Sequence, residues 1–357
     1  MNTHTPARIL LFCLLSFSVC VCAAESFIDE QDYDLSDVET LSLAMDHANI
    51  HFVEGGKSHF LSVRLEQRLE QGSQSKCLHT LTSTSSGSAG LSITTKAPSR
   101  FWPSQCRVQR DIFVRLAKSD LHSLSVSHRH GSVRASSLKA HDLTLDVAHS
   151  NVSIGELHAS QSVLDITHTD VTMDWVDSKT FKLKGAHGTV SLSRMTSERS
   201  AVHWSHGDVQ LAVVEGGMLD VRQAHGDVKI DHYKGGSLTL DNAHGAIRVI
   251  HGEAEKVKLS NRHSEIFYSG SGRLLQADNS HGSIELVQRS AAFDRIEGKN
   301  SHGSISLKVP DASVCDVNGK SVADKKAFKA MDLCRAQPLV GQISLNTSHG
   351  QAQISTF

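Results

Sequence analysis

The sequence predicts an all-β protein, a right-handed parallel β-solenoid with a cap at each end. Three observations carry that prediction. First, a histidine recurs every 19 residues at His130, His149, His168, His187, His206, His225, His244 and His263. It then recurs at His281, His302 and His349, after steps of 18, 21 and 47 residues. Second, apolar residues alternate with polar ones on both sides of each histidine, the period-two signature of a strand with one buried face. Third, the chain has only five prolines and 5% aromatic residues, a composition that suits many short strands.

Each element of the repeat follows from its columns. Three residues after the histidine stand Val133, Val152, Val171, Val190, Val209, Val228, Ile247, Ile266, Ile284 and Ile305. Five after it stand Ala135, Ile154, Met173, Leu192, Leu211, Ile230, Val249, Tyr268, Leu286 and Leu307. These define a strand leaving the histidine. Leu138, Leu157, Val176, Met195, Val214 and Tyr233, eight after it, mark an apolar corner. Four before the histidine, the run Val126, Leu145, Leu164, Leu183, Val202, Val221, Leu240, Leu259 and Ala277 defines a strand approaching it. A unit of this size cannot bury its apolar face alone, so stacked units must share a core. Residues 121–307 are therefore expected to form about ten coils at a rise of about 4.8 Å. The crossover rule sets their hand. Trp204 aligns with Gly185 of the preceding coil, a large residue over a gap. Asp165, Lys184, His203, Arg222 and Asp241, three before their histidines, put mixed signs on adjacent rungs, which is favourable, though exposed pairs are worth roughly 0–1 kcal/mol each.

The flanks are expected to cover the ends, because a bare solenoid end exposes strand edges. Residues 25–120 form the N-terminal cap, with strand-like runs such as "NIHFVEGG" and "DIFVRLA" and a Ser/Gly loop at "TSTSSGSAG". His47, followed by Ile50 and Phe52, is a degenerate first unit. The insertion 308–340 covers the other end, and 341–357 is a last coil whose Phe357 falls on the apolar corner.

Residues 1–24 read as a secretory signal peptide, with Arg8, an apolar run from Ile9, and the small residues Ala23 and Ala24. Val19 and Val21 stand where lipidation of Cys20 or Cys22 would need a small residue, so the cleaved leader is preferred. An exported chain with no membrane span after cleavage is expected in the periplasm or at the cell surface. Four cysteines remain: Cys77, Cys106, Cys315 and Cys334. An even number in an oxidising compartment indicates disulfides. Nearest-neighbour pairing, Cys77–Cys106 and Cys315–Cys334, is one of three connectivities. The net charge of −2, with both signs mixed, argues against nucleic-acid partners.

The stretches "DIFVRLAKSDLHSLSVSHRHGSVRA", "SHGDVQL", "AHGDVKI", "SHGSIEL" and "SHGSISL" resemble the exported bacterial β-strand-repeat proteins of unknown function that are loosely called adhesin-like. The resemblance covers residues ~40–355. It implies an envelope location and a binding or scaffolding role for an unidentified surface partner. The near-constant histidine departs from that family, where Asn, Ser or Thr often stands, and so does the cysteine-bearing insertion.

Three readings of the histidine column follow. In the first it is a structural turn ladder, with stacked imidazoles on the turn backbone and glycine supplying the turn. In the second, neighbouring imidazoles, chiefly His187, His206, His225, His244, His281 and His302, bind Zn²⁺, Cu²⁺ or Ni²⁺. No carboxylate recurs beside them to complete a site: Asp208 and Asp227 give way to Ser283 and Ser304. In the third the column senses pH. Two charged imidazoles ~5 Å apart repel by about 3 kcal/mol at an effective dielectric of ~20, which lowers their pKa values in the folded chain.

No cofactor is required and no catalytic residue is assigned. Parallel β-helices that cleave polysaccharides need convergent carboxylates in a loop-built groove, whereas these coils are short and uniform. Asp174 beside Trp175 and His203 beside Trp204 are the nearest local candidates, and each reads better as a turn plus packing. The expected protein is a non-enzymatic, monomeric binding, adhesion or scaffolding module. A metal-binding or pH-responsive envelope protein comes second, and a polysaccharide lyase or hydrolase third.

Overall fold

A computed structural model describes residues 25–56, 59–86, 89–98, 105–117, 121–310, 316–321 and 341–357. The leader 1–24, Cys315 and Cys334 lie outside the described residues.

Alternating apolar residues turn inward and close a continuous β-solenoid. Its body comprises β8 (Ser123–Thr167), β9 (Val171–Ala186), β10 (Val190–His206), β11 (Val209–His225), β12 (Val228–His244), β13 (Ile247–His263) and β14 (Ile266–His281), numbered from the N-terminus. From β8 to β14 each pairs in parallel with the next. The register equals the repeat: Val190 faces Val209, Val209 faces Val228, Val228 faces Ile247 and Ile247 faces Ile266. From Val126 to Leu307, every apolar residue of the columns three and five after, eight after and four before the histidine is buried. The winding makes about eight turns, against the ten expected from spacing. Regular coils run only from His130 to His281. Beyond them an irregular stretch separates β15 (Ile284–Gln288) from β16 (Arg295–His302), and β17 (Ile305–Val309) follows.

Packing between coils is tight where the sequence indicates. Trp204 is buried, and a Cβ on Gly185 would lie 2.4 Å from its ring and 1.9 Å from the Ile166 carbonyl oxygen. The charge column pairs across rungs in part. Lys184 reaches Asp165 at 3.8 Å, but Arg222 takes Asp220 on its own strand at 3.0 Å rather than Asp241. A residue two along on the same strand face is about 6.6 Å away and one on the next rung about 4.8 Å, both within reach of a long guanidinium side chain, so the exposed Arg222 has a local choice.

The N-terminal end is closed in steps. β2 (Thr40–Ala44) and β3 (Ala48–Val53) stack on the first rung of β8. β6 (Gly90–Lys96) and β7 (Arg107–Leu116) stack on them in turn. Antiparallel strands then cover that rung: β4 (Phe60–Gln71) along β7, β1 (Glu25–Asp34) along β4, and β5 (Thr80–Ser86) along β6. The Ser/Thr run read as a loop is therefore largely β5. Leu81 and Leu91 are buried in that hairpin, and Thr82 and Thr94 pair their hydroxyls across it at 2.9 Å. A short helix, α1 (Gln74–Cys77), ends at a disulfide between Cys77 and Cys106.

At the far end β19 (Gln342–His349) and β20 (Ala352–Thr356) form the last histidine-bearing rung, on β16 and β17. The backbone of β18 (Asp316–Ser321), from the insertion, pairs with the outer edge of β19. Phe357 is 62% exposed, not buried on a corner. β18 pairs with β19 and not with β20, so no strand among the described residues stacks over this corner. No helix among the described residues is long and apolar enough to cross a membrane.

Candidate functional site

Rung register superposes the recurring histidines, at 19-residue steps from His130 to His263 and across unequal steps beyond them. Among the described residues His47, His130, His149, His168, His187, His206, His225, His244, His263, His281, His302 and His349 form one uninterrupted stack. Successive ring centroids are 4.6–5.2 Å apart and interplanar angles are 0–24°. His47 joins through the pairing of Ala48 with Gly131, although 83 residues separate it from His130. All twelve are exposed, so the stack is an outward ridge.

Backbone conformation fixes the ridge. His130, His149, His168 and His187 have φ between +54° and +65°, a region in which His is enriched among non-glycine residues. Ser150 and Thr169 follow two of them, so there the histidine itself makes the left-handed turn. From His206 onward the histidine is no longer left-handed and the residue after it takes the positive φ, as at Gly207 (+112°), Gly226 (+130°) and Ser264 (+155°).

Several rings are also tied to the backbone. The Nδ1 atoms of His244, His263 and His349 lie 3.3, 3.3 and 3.4 Å from the carbonyl oxygens of Ala224, Ala243 and Ser301. A carbonyl only accepts, so Nδ1–H must donate, and the lone pair is left on Nε2. That is the tautomer with a free metal-ligating nitrogen. Partial loss of hydration within the stack, and then the neighbouring imidazoles His187 and His225, hold the His206 pKa below its usual value. Burial and His130 do the same for His47.

Beneath the ridge runs a second column that the apolar pattern hid. From His206 onward, the residue two before the histidine points inward and donates to the turn carbonyl of the preceding coil. Trp204 Nε1 reaches Gly188 O at 2.7 Å and Asn242 Nδ2 reaches Gly226 O at 2.9 Å. Asn261 reaches Gly245 O at 2.8 Å, Asn279 Ser264 O at 2.7 Å, Asn300 Gly282 O at 2.6 Å, and Thr347 Oγ1 Gly303 O at 3.1 Å. Gln223 donates likewise to Gly207 O. Polar residues at an inward position, repeating at the coil length, were the available signal.

The metal-ligand candidates His187, His206, His225, His244, His281 and His302 are thus brought into one file, without a third ligand type. Among the described residues only His122, His141 and Asp142 form a group of three potential ligands with donor atoms all within 4.8 Å of one another. His122 and His141 stack at 5.0 Å, and His232 and His251 at 4.7 Å, as two short side ladders. Their own 19-residue spacing was visible in the sequence, off the main column. Asp174 is exposed, and Trp175 packs edge-on to His158 at 5.0 Å. His203 lies 3.7 Å from Asp220 while its neighbour Trp204 is buried. These pairs do not converge. A shallow groove of about 620 Å³ runs beside the last coils, lined by Asp241, Arg262, Asp278, Lys299 and small serines.

Fold and site together define a parallel β-solenoid carrying a surface file of imidazoles. The chain belongs to the Toastrack DUF4097 family, whose pattern matches residues 38–216 and 201–332. Comparison with curated proteins finds no match. Among solved structures the chain is similar to a candidate adhesin from Bacteroides fragilis, with 15% identity and a TM-score of 0.36 over 71% of this chain and 96% of that one. It is also similar to a candidate adhesin from Parabacteroides merdae, with 8% identity and a TM-score of 0.30 over 92% and 96% of the two chains. A candidate lipid-binding protein from Parabacteroides distasonis matches at 10% identity and a TM-score of 0.27, over 92% and 96%. At such scores nothing about ligand or role is carried over.

Proposed function

We propose that the protein is a non-enzymatic, exported binding or scaffolding module of the cell envelope. The observation that carries this is the uniformity of the coil from His130 to His281. Its outward columns are mostly polar, and several of their carboxylates pair with nearby cations, as Asp220 does with Arg222 at 3.0 Å and Glu265 with Arg248 at 2.9 Å. A rigid scaffold of this kind presents surface rather than a reaction centre, and irregular segments at its ends carry recognition. The experiment is incubation of the purified protein with isolated envelope material and with soluble polysaccharides. Saturable retention on the envelope, without new reducing or unsaturated sugar ends, is expected; release of such ends overturns the reading.

A second reading rests on the backbone-fixed tautomer of His244, His263 and His349. Free Nε2 atoms on an exposed file suit Zn²⁺, Cu²⁺ or Ni²⁺. Calorimetric titration at pH 7.5 and 5.5 tests it. Stoichiometric binding at pH 7.5, lost at 5.5, makes the file a metal array, and absence of binding leaves it a turn ladder.

A further inference from the structure

We propose that His122, His141 and Asp142 form a binding site for one divalent transition metal ion of the Zn²⁺ class, separate from the main histidine file. The site lies on the corner that leads into the approaching strand, where the first two rungs of β8 meet. Backbone bonds lock those rungs together: His141 N–H donates to Leu121 O at 2.9 Å and Asp142 N–H to His122 O at 2.8 Å. The two imidazoles then stack at 5.0 Å with an interplanar angle of 11°. Asp142 places one carboxylate oxygen 3.0 Å from His141 Nδ1 and the other 3.8 Å from His122 Nε2.

Metal–nitrogen and metal–oxygen bonds of about 2.0–2.2 Å put the donors of a tetrahedral ion about 3.3 Å apart. The two carboxylate contacts bracket that separation. The two imidazoles stack with near-parallel planes, so both exposed rings must rotate out of the stack about their side-chain torsions to turn their lone pairs toward one ion. Two neutral nitrogens and one carboxylate oxygen are a borderline donor set that suits Zn²⁺, Cu²⁺ or Ni²⁺ over Mg²⁺ or Ca²⁺. Both histidines are exposed, so a hydrated ion has access and water can fill the remaining position.

A further carboxylate sits at rung spacing. Thr40 pairs with Ser123, and Ser123 N–H donates to Glu39 O at 3.0 Å. Glu39 therefore occupies the register position of His122 one rung nearer the N-terminal cap. On the other side the column ends, because Ser160 and Lys179 follow at the same 19-residue interval. The site is thus bounded, acidic on the cap side, and unlike the main file, where the same spacing brings rings together without a carboxylate.

The test is Zn²⁺ titration of the purified protein by calorimetry at pH 7.5, with the ion alone as the probe. It is repeated on His141→Ala, on the near-isosteric Asp142→Asn, and on the main-file control His225→Ala/His244→Ala. Far-UV circular dichroism verifies the fold of each. About one equivalent of Zn²⁺ is expected to be lost in His141→Ala and bound markedly more weakly in Asp142→Asn, which replaces an anionic ligand oxygen by a neutral one. That equivalent is retained in the control. Glu39→Gln separates the ligand set further: a smaller loss of affinity places the fourth donor on the cap side. Zn²⁺ binding unchanged in folded Asp142→Asn, or no binding to the unaltered protein, overturns the assignment.

Discussion

Asn261 illustrates what a single position contributes. Its side chain is buried, and its Nδ2 supplies the hydrogen bond that Gly245 O takes from the coil above at 2.8 Å. Asn242, Asn279 and Asn300 repeat the arrangement. Each turn closes on a carbonyl that points along the stack, and an unpaired carbonyl there would cost its desolvation. Asn261→Ala is therefore expected to destabilise the protein by about 1–3 kcal/mol, the cost of a buried polar group left without its partner. Denaturant unfolding against the unaltered chain measures it. A change within error would mean that water replaces the amide. This column was poorly legible in the sequence. Trp, Gln, Asn and Thr share no hydropathy, and what unites them is a donor at the right reach, which becomes visible only once the turn is built. The apolar columns were legible because burial selects one property at a fixed interval. The His122, His141 and Asp142 cluster stood between these cases: its interval was present, but Asp142 follows His141 directly, and only a corner lets consecutive residues converge.

At the scale of elements, the regular strands and the cap strands β3 and β7 followed from alternation, and β5 did not. β5 is rich in Ser and Thr, which read equally well as loop. Its strand conformation comes from pairing with β6, a tertiary choice. The cap also holds buried polar groups that join the disulfide region to the base of the histidine file. Gln67 exchanges hydrogen bonds of 2.8 Å with both the N–H and the carbonyl of His79, and Arg110 donates to Cys77 O at 2.8 Å. Burial, with Arg110 and His47 nearby, pushes the His79 pKa down to about 4. Burial also lowers that of His128, whose Nδ1 bonds to Met45 O. In the unfolded chain these imidazoles titrate near ~6.5, so below that pH the unfolded state binds more protons than the folded one. Their contribution to stability is complete above ~6.5 and is lost as pH falls toward about 4. His47 and His206 shift in the same direction. The melting temperature is therefore expected to fall between pH 7.5 and 5, and to fall less in His79→Gln, which removes one titrating group from the cap. An unchanged melting temperature across that interval would show that the folded imidazoles accept protons without penalty.

At the scale of the whole molecule, a solenoid whose register equals its repeat is built from exchangeable coils, because each coil contacts only its neighbours. Deletion of residues 208–226 tests this directly. It joins Gly207 to Asp227 and so restores an intact His-Gly-Asp-Val turn. β10 would then face β12, with Val190 on Val228, Leu192 on Ile230, Val202 on Leu240 and His206 on His244. These are the pairings that β10 and β12 each now make with β11. Asn242, which bonds to Gly226 O, would find Gly207 O in the same place. No core position changes character, and the histidine file shortens without a gap. Deleting only 208–216 instead offsets every later residue of the coil, sending the polar face of the approaching strand into the core. The first variant is expected to keep its strand signal in circular dichroism, to unfold cooperatively, and to be about 4.8 Å shorter by small-angle scattering. The second is expected to be expanded and prone to aggregate. If both behave alike, stability depends on the caps as a pair held at fixed distance, and the coils are not independent units.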